Sequence, residues 1–184
     1  MVTIVDADAR WPADFARIEE DLRDGLWSDA RRIDHIGSTS VPGLASKDVI
    51  DIQVTVADEQ FLERVAATLE RRGWRREGDV AYDHQVPGLP TDLSEWRKII
   101  FDEPQGTRPS HLHVRVNGRA NQRYALLFRD YLRVQPHAAS AYAEVKRGLA
   151  SLAPDSGTYA VAKDPACDLI YFAAESWANE VGWV

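Results

Sequence analysis

The run DHIGSTSVPGLASKDVIDIQVTV, Asp34 to Val56, sets a small-residue turn, a Pro-Gly turn, a lysine and an alternating apolar strand side by side. Gly37 has no Cβ and permits close backbone approach. Ser38, Thr39 and Ser40 add hydroxyls to the N–H groups of the turn, a combination suited to cradling a phosphate. Lys47 supplies a point charge close by. By itself such a run is more often an ordinary turn, because both uses draw on the same permissive backbone. What favours chemistry is the acid-bearing strand that follows it.

In VIDIQVTV the two-residue period sends Ile50, Ile52, Val54 and Val56 to one face and Asp51, Gln53 and Thr55 to the other. In SHLHVRV it turns Leu112, Val114 and Val116 inward and groups His111, His113 and Arg115 opposite them. If the two strands share a sheet in compatible register, Asp51, Gln53, His111 and His113 line one cleft. They would offer a carboxylate, an amide and two imidazoles to a cation or a phosphorylated ligand. The plain alternative is that both strands have a solvated face and that the histidines are ordinary exposed residues. A third reading takes HLHVR as a damaged histidine-triad motif, with Arg115 in the place of the third histidine. Farther along, Arg129 and Arg133 in FRDYLR fall on one helix face, where they suit a carboxylate or phosphate, with Asp130 bracing a neighbouring base. Structural ion pairing is the plainer reading of them.

These residues need elements to position them. WPADFARIEEDLRDGL places Pro12 in a first helical turn and Phe15, Ile18, Leu22 and Leu26 on one face. RRIDHIG and VIDIQVTV read as strands on either side of the turn-rich STSVPGLASKD. DEQFLERVAATLERRG is a second helix, with acids in its first turn, arginines in its last and Gly73 at its end. VAYDHQV, EWRKIIF and SHLHVRV are strand candidates that read as antiparallel neighbours. Three helices follow: NQRYALLFRDYLR, PHAASAYAEVKRGLASL and DPACDLIYFAAESWANEV. The order is that of an α+β fold, a mixed sheet with a helical C-terminal half, and residues 1–184 are expected to form a single domain.

The chain has 184 residues and a formal net charge of -7, which excludes broad electrostatic attraction to nucleic acid or anionic lipid. No window reaches the length of a membrane span, and no basic leader precedes an apolar run, so a cytoplasmic protein is expected. Cys167 is the one cysteine, cannot form an internal disulfide, and reads as a core residue.

GSTSVPGLASKDVIDIQV resembles the signature of the GrpB family. The resemblance continues through HLHV, FRDYLR and YAEVKRGLA to the Tyr159 and Lys163 pair in YAVAK. GrpB proteins resemble the nucleotidyltransferase superfamily, which implies a mixed β-sheet flanked by helices. It also implies a Gly-Ser turn that grips phosphate and a strand bearing paired acids, with a third acid on a later strand. On that resemblance Gly37 and Ser38 are the turn, Asp51 is the first and catalytic acid, Gln53 stands in the place of the second, and His111 or His113 in that of the third. An amide and imidazoles add no negative charge, so a two-Mg²⁺ site is not intact; one Mn²⁺ or Zn²⁺ on Asp51, His111 and His113 is the remaining metal arrangement. Asp48 stands where the family usually has proline. Lys146 and Lys163 stand out from other lysines by the family pattern alone.

The resemblance implies a nucleotidyltransferase-like protein that binds a nucleoside triphosphate or phosphorylated small molecule and transfers a nucleotidyl group, with a divalent metal (Mg, Mn or Zn), to a small acceptor. Phosphate would be held by Gly37, Ser38, Thr39, Ser40, Lys47, Arg129 and Arg133, and Gln53, Arg115 and Lys163 would line the cleft. The alternative is a non-catalytic accessory or regulatory ligand-binding domain, as in relatives associated with dephospho-coenzyme A kinase. The chain has no Gly-x-x-x-x-Gly-Lys-Ser/Thr phosphate loop, so such a kinase partner would be a separate chain.

Overall fold

The computed structural model describes residues 2–78 and 81–184. Helix α1 (Trp11–Leu26) leads into strands β1 (Arg32–Ile36) and β2 (Ile50–Val56), and between the strands Ser38–Ser40 form one turn of 3₁₀ helix. Helix α2 (Gln60–Arg71) is followed by β3 (Arg75–Arg76), β4 (Ala81–Tyr82), β5 (Arg97–Asp102) and β6 (Ser110–Val116). Helices α3 (Ala120–Val134), α4 (Pro136–Leu152) and α5 (Ser156–Val181) complete the chain.

The strands run in the order β1-β2-β6-β5-β3, with β4 added on β5. Strands β2 and β6 are parallel and every other pairing is antiparallel, which makes the sheet mixed. The α+β expectation is met. Helices α1 and α2 cover one face: Ile50, Ile52, Val54, Val56, Leu112 and Val114 are fully buried there against residues such as Leu22, Leu62 and Leu69. A Val or Leu side chain removed from water in this way contributes about 1.5–3 kcal/mol. The C-terminal helices cover the opposite face, where Trp96, Leu127, Tyr171 and Ala174 form a separate apolar cluster.

Three elements differ from their sequence expectation. VAYDHQV is strand only at Ala81–Tyr82, and its first residue, Val80, lies outside the described residues. The rest of that segment turns under the C-terminal helices, where Val86 is buried and Asp83 points into the sheet face. Helix α5 begins at Ser156, two turns before the Asp164 at which DPACDLIYFAAESWANEV starts, and Pro165 is an interior residue of the helix. The true start is capped by Asp155, whose carboxylate accepts from the Thr158 N–H at 2.8 Å. The extra turns carry Tyr159 and Lys163 over the sheet. The short strand β3 was not read from the sequence; two arginines carry no period.

No helix among the described residues is long and apolar enough to cross a membrane.

Candidate functional site

The register of the parallel pair fixes the floor of the site. Asp51 lies beside His111, Gln53 beside His113 and Thr55 beside Arg115, and on the far side of β6, Asp102 lies opposite His111. His111 sits between two carboxylates, with Nδ1 3.6 Å from Asp51 Oδ1 and Nε2 3.9 Å from Asp102 Oδ1. Asp51 raises the His111 pKa against the effect of burial. Burial would raise Asp51, but the His111 imidazole and the positive charge around it, Lys47 included, hold Asp51 below the usual carboxylate value. His113 behaves differently. Burial, with the charges of Arg115 and Lys98, pushes its pKa well down and keeps the ring neutral.

The roof of this floor is the Gly37–Ser38 turn. Gly37 has φ +68, and a Cβ there would lie 2.3 Å from Asp51 Oδ2, so glycine is required both by backbone conformation and by close approach. Ser40 closes the turn, its hydroxyl donating to the Gly37 carbonyl at 2.6 Å. Cations from the helical half then fasten it. On α3, Arg129 donates to the His35 carbonyl at 3.1 Å, and Arg133 donates twice to the Ser40 carbonyl, at 3.0 and 2.9 Å. On α4, Lys146 donates to Ser38 Oγ at 2.8 Å and to the Ala45 carbonyl, and lies 4.7 Å above the Tyr142 ring. Lys146 is only 2% exposed; burial, and then the charge of Lys163, lower its pKa to about 7.

Turn, floor and helices enclose a cavity of about 490 Å³. At the turn end it is lined by Gly37, Ser38, Lys47, Asp51, Lys146 and Lys163. Lys47 lies 5.8 Å from the Tyr159 ring centroid, and Lys163 Nζ is 3.7 Å from Cys167 Sγ. The farther wall is aromatic, with Tyr82, Tyr124 and Phe128. Beneath it Asp83 binds Lys98 at 2.7 Å and Arg115 at 2.8 Å, and those two cations hold its pKa well down although burial opposes them. In a chain of net charge -7 the cavity wall carries five cations, Lys47, Lys98, Arg115, Lys146 and Lys163, against three carboxylates, Asp51, Asp83 and Asp164.

The expected site residues divide. Gly37, Ser38, Lys47, Asp51, His111, His113, Arg115 and Lys163 all reach this one cavity. Gln53 does not line it. Helix α3 covers the polar face at that point, leaving Gln53 fully buried, its Nε2 donating to the Gln122 carbonyl at 3.2 Å and its Oε1 accepting from Arg115 at 2.7 Å. The plain alternative of a solvated strand face fails for the same reason: Thr55 is also fully buried. Thr39 faces away, 3.0 Å from His35 Nε2, and Ser40 is spent on the turn. Arg129 is held by Asp130 at 2.7 Å and by the His35 carbonyl, and Arg133 by the Ser40 carbonyl, so both brace the turn from behind. Asp48 accepts from Trp11 Nε1 at 2.8 Å and pairs with Arg108, tying α1 to the β5–β6 loop. Asp83, Lys98 and the aromatic wall were not singled out from the sequence, because they come from separate segments with no shared spacing. Cys167 is a free, buried thiol, as expected.

The metal arrangement does not fit. Asp51 is the one carboxylate of its strand, Gln53 is turned into the protein on Arg115, His111 beside Asp51 is turned with its two nitrogens toward Asp51 and Asp102, and His113 is neutral with lysines nearby. Among the described residues no group of three His, Cys, Asp or Glu side chains is arranged to hold a metal ion.

A mixed sheet flanked by helices, with a Gly-Ser turn packed on an aspartate of the next strand, defines a nucleotidyltransferase-like fold. The chain belongs to the GrpB family, whose description, GrpB protein, matches residues 1–172. The crystal structure of GrpB from Enterococcus faecalis superposes with a TM-score of 0.73 at 27% identity, over 95% of this chain and 99% of that one. A dephospho-CoA kinase of Mycolicibacterium paratuberculosis is 34% identical over 99% of this chain but 48% of its own length, so the chain spans about half of that relative. The Cid1 poly(U) polymerase bound to MgATP shares the fold at 18% identity, with a TM-score of 0.52 over 78% of this chain and 43% of that one.

Proposed function

We propose that this GrpB protein binds a nucleotide or another phosphorylated small molecule in the cavity between sheet and C-terminal helices. Phosphate oxygens would lie against Ser38, Lys47, Lys146 and Lys163, and the remainder of the ligand along Tyr82, Tyr124 and Phe128. The observation that carries this reading is the concentration of cations on one cavity of an acidic protein, at a serine turn locked in place from three directions. The nucleotide bound to the distantly similar Cid1 structure supports the same choice of ligand class. Transfer of a nucleotidyl group to a small acceptor is the finer form of this reading, with Asp51 and His111 as the acid–base pair nearest the turn; it would release pyrophosphate. A thermal-shift titration with ATP, UTP and inorganic tripolyphosphate tests the binding, because a ligand that prefers the native state raises its melting temperature. A concentration-dependent rise supports the proposal, and no shift with any of the three overturns it.

An accessory role is the second reading, favoured by the relatives named dephospho-CoA kinase, of which this chain matches about half. It predicts a stable complex with a separate dephospho-CoA kinase chain in analytical ultracentrifugation. Independent sedimentation of the two proteins would remove it.

A further inference from the structure

Resting on the reading of the cavity as a phosphate site, we propose that Lys47, Lys146 and Lys163 do the work of counter-charge themselves, so that this chain recognises a polyphosphate as the free, metal-unbound anion. Each of the three lysines lines the cavity at the Gly37–Ser38 end, and they come from three separate parts of the fold: the loop before β2, helix α4 and helix α5. Their common neighbour is Asp51, whose charge acts on Lys146 and Lys163 and feels that of Lys47. With Asp164 beside Lys163, two carboxylates face the three lysines, and an anion that draws a proton onto Lys146 meets an excess of positive charge, the reverse of what a divalent cation requires.

The other side chains that could have served as metal ligands are committed elsewhere. Gln53 is bound to Arg115 and to the Gln122 carbonyl, and Asp83 is bound to both Lys98 and Arg115. Asp102 faces His111, whose other nitrogen faces Asp51. His113 is a neutral imidazole with a buried Nδ1 that has no hydrogen-bond partner among the described residues. Lysine is well suited to the role proposed, since a compact ammonium with three donors binds phosphate as a point charge and needs no bidentate geometry. The fixed positions matter as well: Lys146 is held by Ser38 and Ala45, and Lys47 rests over the Tyr159 ring, so little reorganisation is needed when the anion arrives.

Calorimetric titration of ATP and of inorganic tripolyphosphate, each in EDTA and in excess Mg²⁺, Mn²⁺ or Zn²⁺, separates the possibilities. Both ligands are expected to bind in EDTA, and excess Mg²⁺ is expected to weaken binding several-fold, because the complex carries two fewer negative charges. Lys47→Met and Lys163→Met, neither of which empties a fully buried site, should each weaken binding in EDTA by about tenfold, the usual scale for one charge-assisted hydrogen bond. Binding that appears only with a divalent ion, or variants that bind as tightly as the native chain, would overturn the metal-free inference and leave the phosphate cavity standing. No binding of either ligand under any of these conditions would remove the phosphate reading itself, and this inference with it.

Discussion

Lys146 Nζ lies 2.8 Å from Ser38 Oγ, and through that contact helix α4 holds the turn that closes over Asp51. The two residues are more than a hundred positions apart in the chain, yet they meet at the turn end of one cavity. The same ammonium lies within reach of Lys163, so its protonation is the point at which ligand charge and protein charge are coupled.

The first prediction concerns that coupling. Lys146 has a pKa of about 7 in the native state, from burial and the charge of Lys163, against the ordinary 10.5 of an unfolded lysine. Between these values the unfolded chain binds more protons than the native one, so stability rises with pH relative to a Lys146→Met variant, by about 2 kcal/mol from pH 7 to 8.5. Urea denaturation of both proteins across that window reads the difference. An anion in the cavity restores the charge, so ATP binding at pH 8 should take up a fraction of a proton, measured by calorimetry in two buffers of different ionisation enthalpy.

Gly37 carries a second prediction. Gly37→Ala places a methyl group against the Asp51 carboxylate and puts an L-residue at φ +68, and should cost about 2–3 kcal/mol of stability. Adding Asp51→Ala removes the carboxylate from the contact but leaves the Cβ of position 51, 2.9 Å from the new methyl group, and the backbone strain. The double variant should therefore recover part of the loss in a denaturation curve, whereas full recovery would show that the backbone conformation carries no penalty.

His35 sets an acid limit. Burial lowers its pKa to about 4, and its ring is stacked on Phe15 at 4.7 Å with Thr39 at its Nε2. The native state holds the neutral ring, so its contribution is fully present above the unfolded value near 6.5 and is lost as pH falls from there toward 4. That loss amounts to about 3 kcal/mol. His35→Gln should flatten this part of the stability profile while leaving the region above pH 7 in place.

The faces of β2 and β6 were legible in the sequence because a two-residue period is a local property, and Ile50, Ile52, Leu112 and Val114 lie buried on the expected side. Gly37, Ser38 and Asp51 were legible through their spacing and the GrpB resemblance, and they meet as expected. Gln53 was misplaced because a period assigns a face but not what covers it; α3, almost seventy residues later, seals it from the cavity. Arg129 and Arg133 stay open between ligand and structural pairing in the sequence for a similar reason, since a cation pair on a helix face looks alike whether it meets a phosphate or a carbonyl. The first two turns of α5 are not legible as an apolar stripe, because Tyr159 is the one buried residue among them.

Arg133 allows that distinction to be measured. Arg133→Gln removes both donors to the Ser40 carbonyl and should lower stability by about 1–2 kcal/mol, with any loss of affinity following from a looser turn. A variant of native stability with sharply reduced ligand affinity would place Arg133 on the ligand instead.

The most direct measurement is an amide chemical-shift titration of the ¹⁵N-labelled protein with ATP. The account predicts that the largest shifts fall on the Gly37 and Ser38 amides and on residues around Lys47, Lys146 and Lys163, and that Ser38→Ala weakens the response. Shifts confined to other surfaces, or none at saturating ATP, would contradict it.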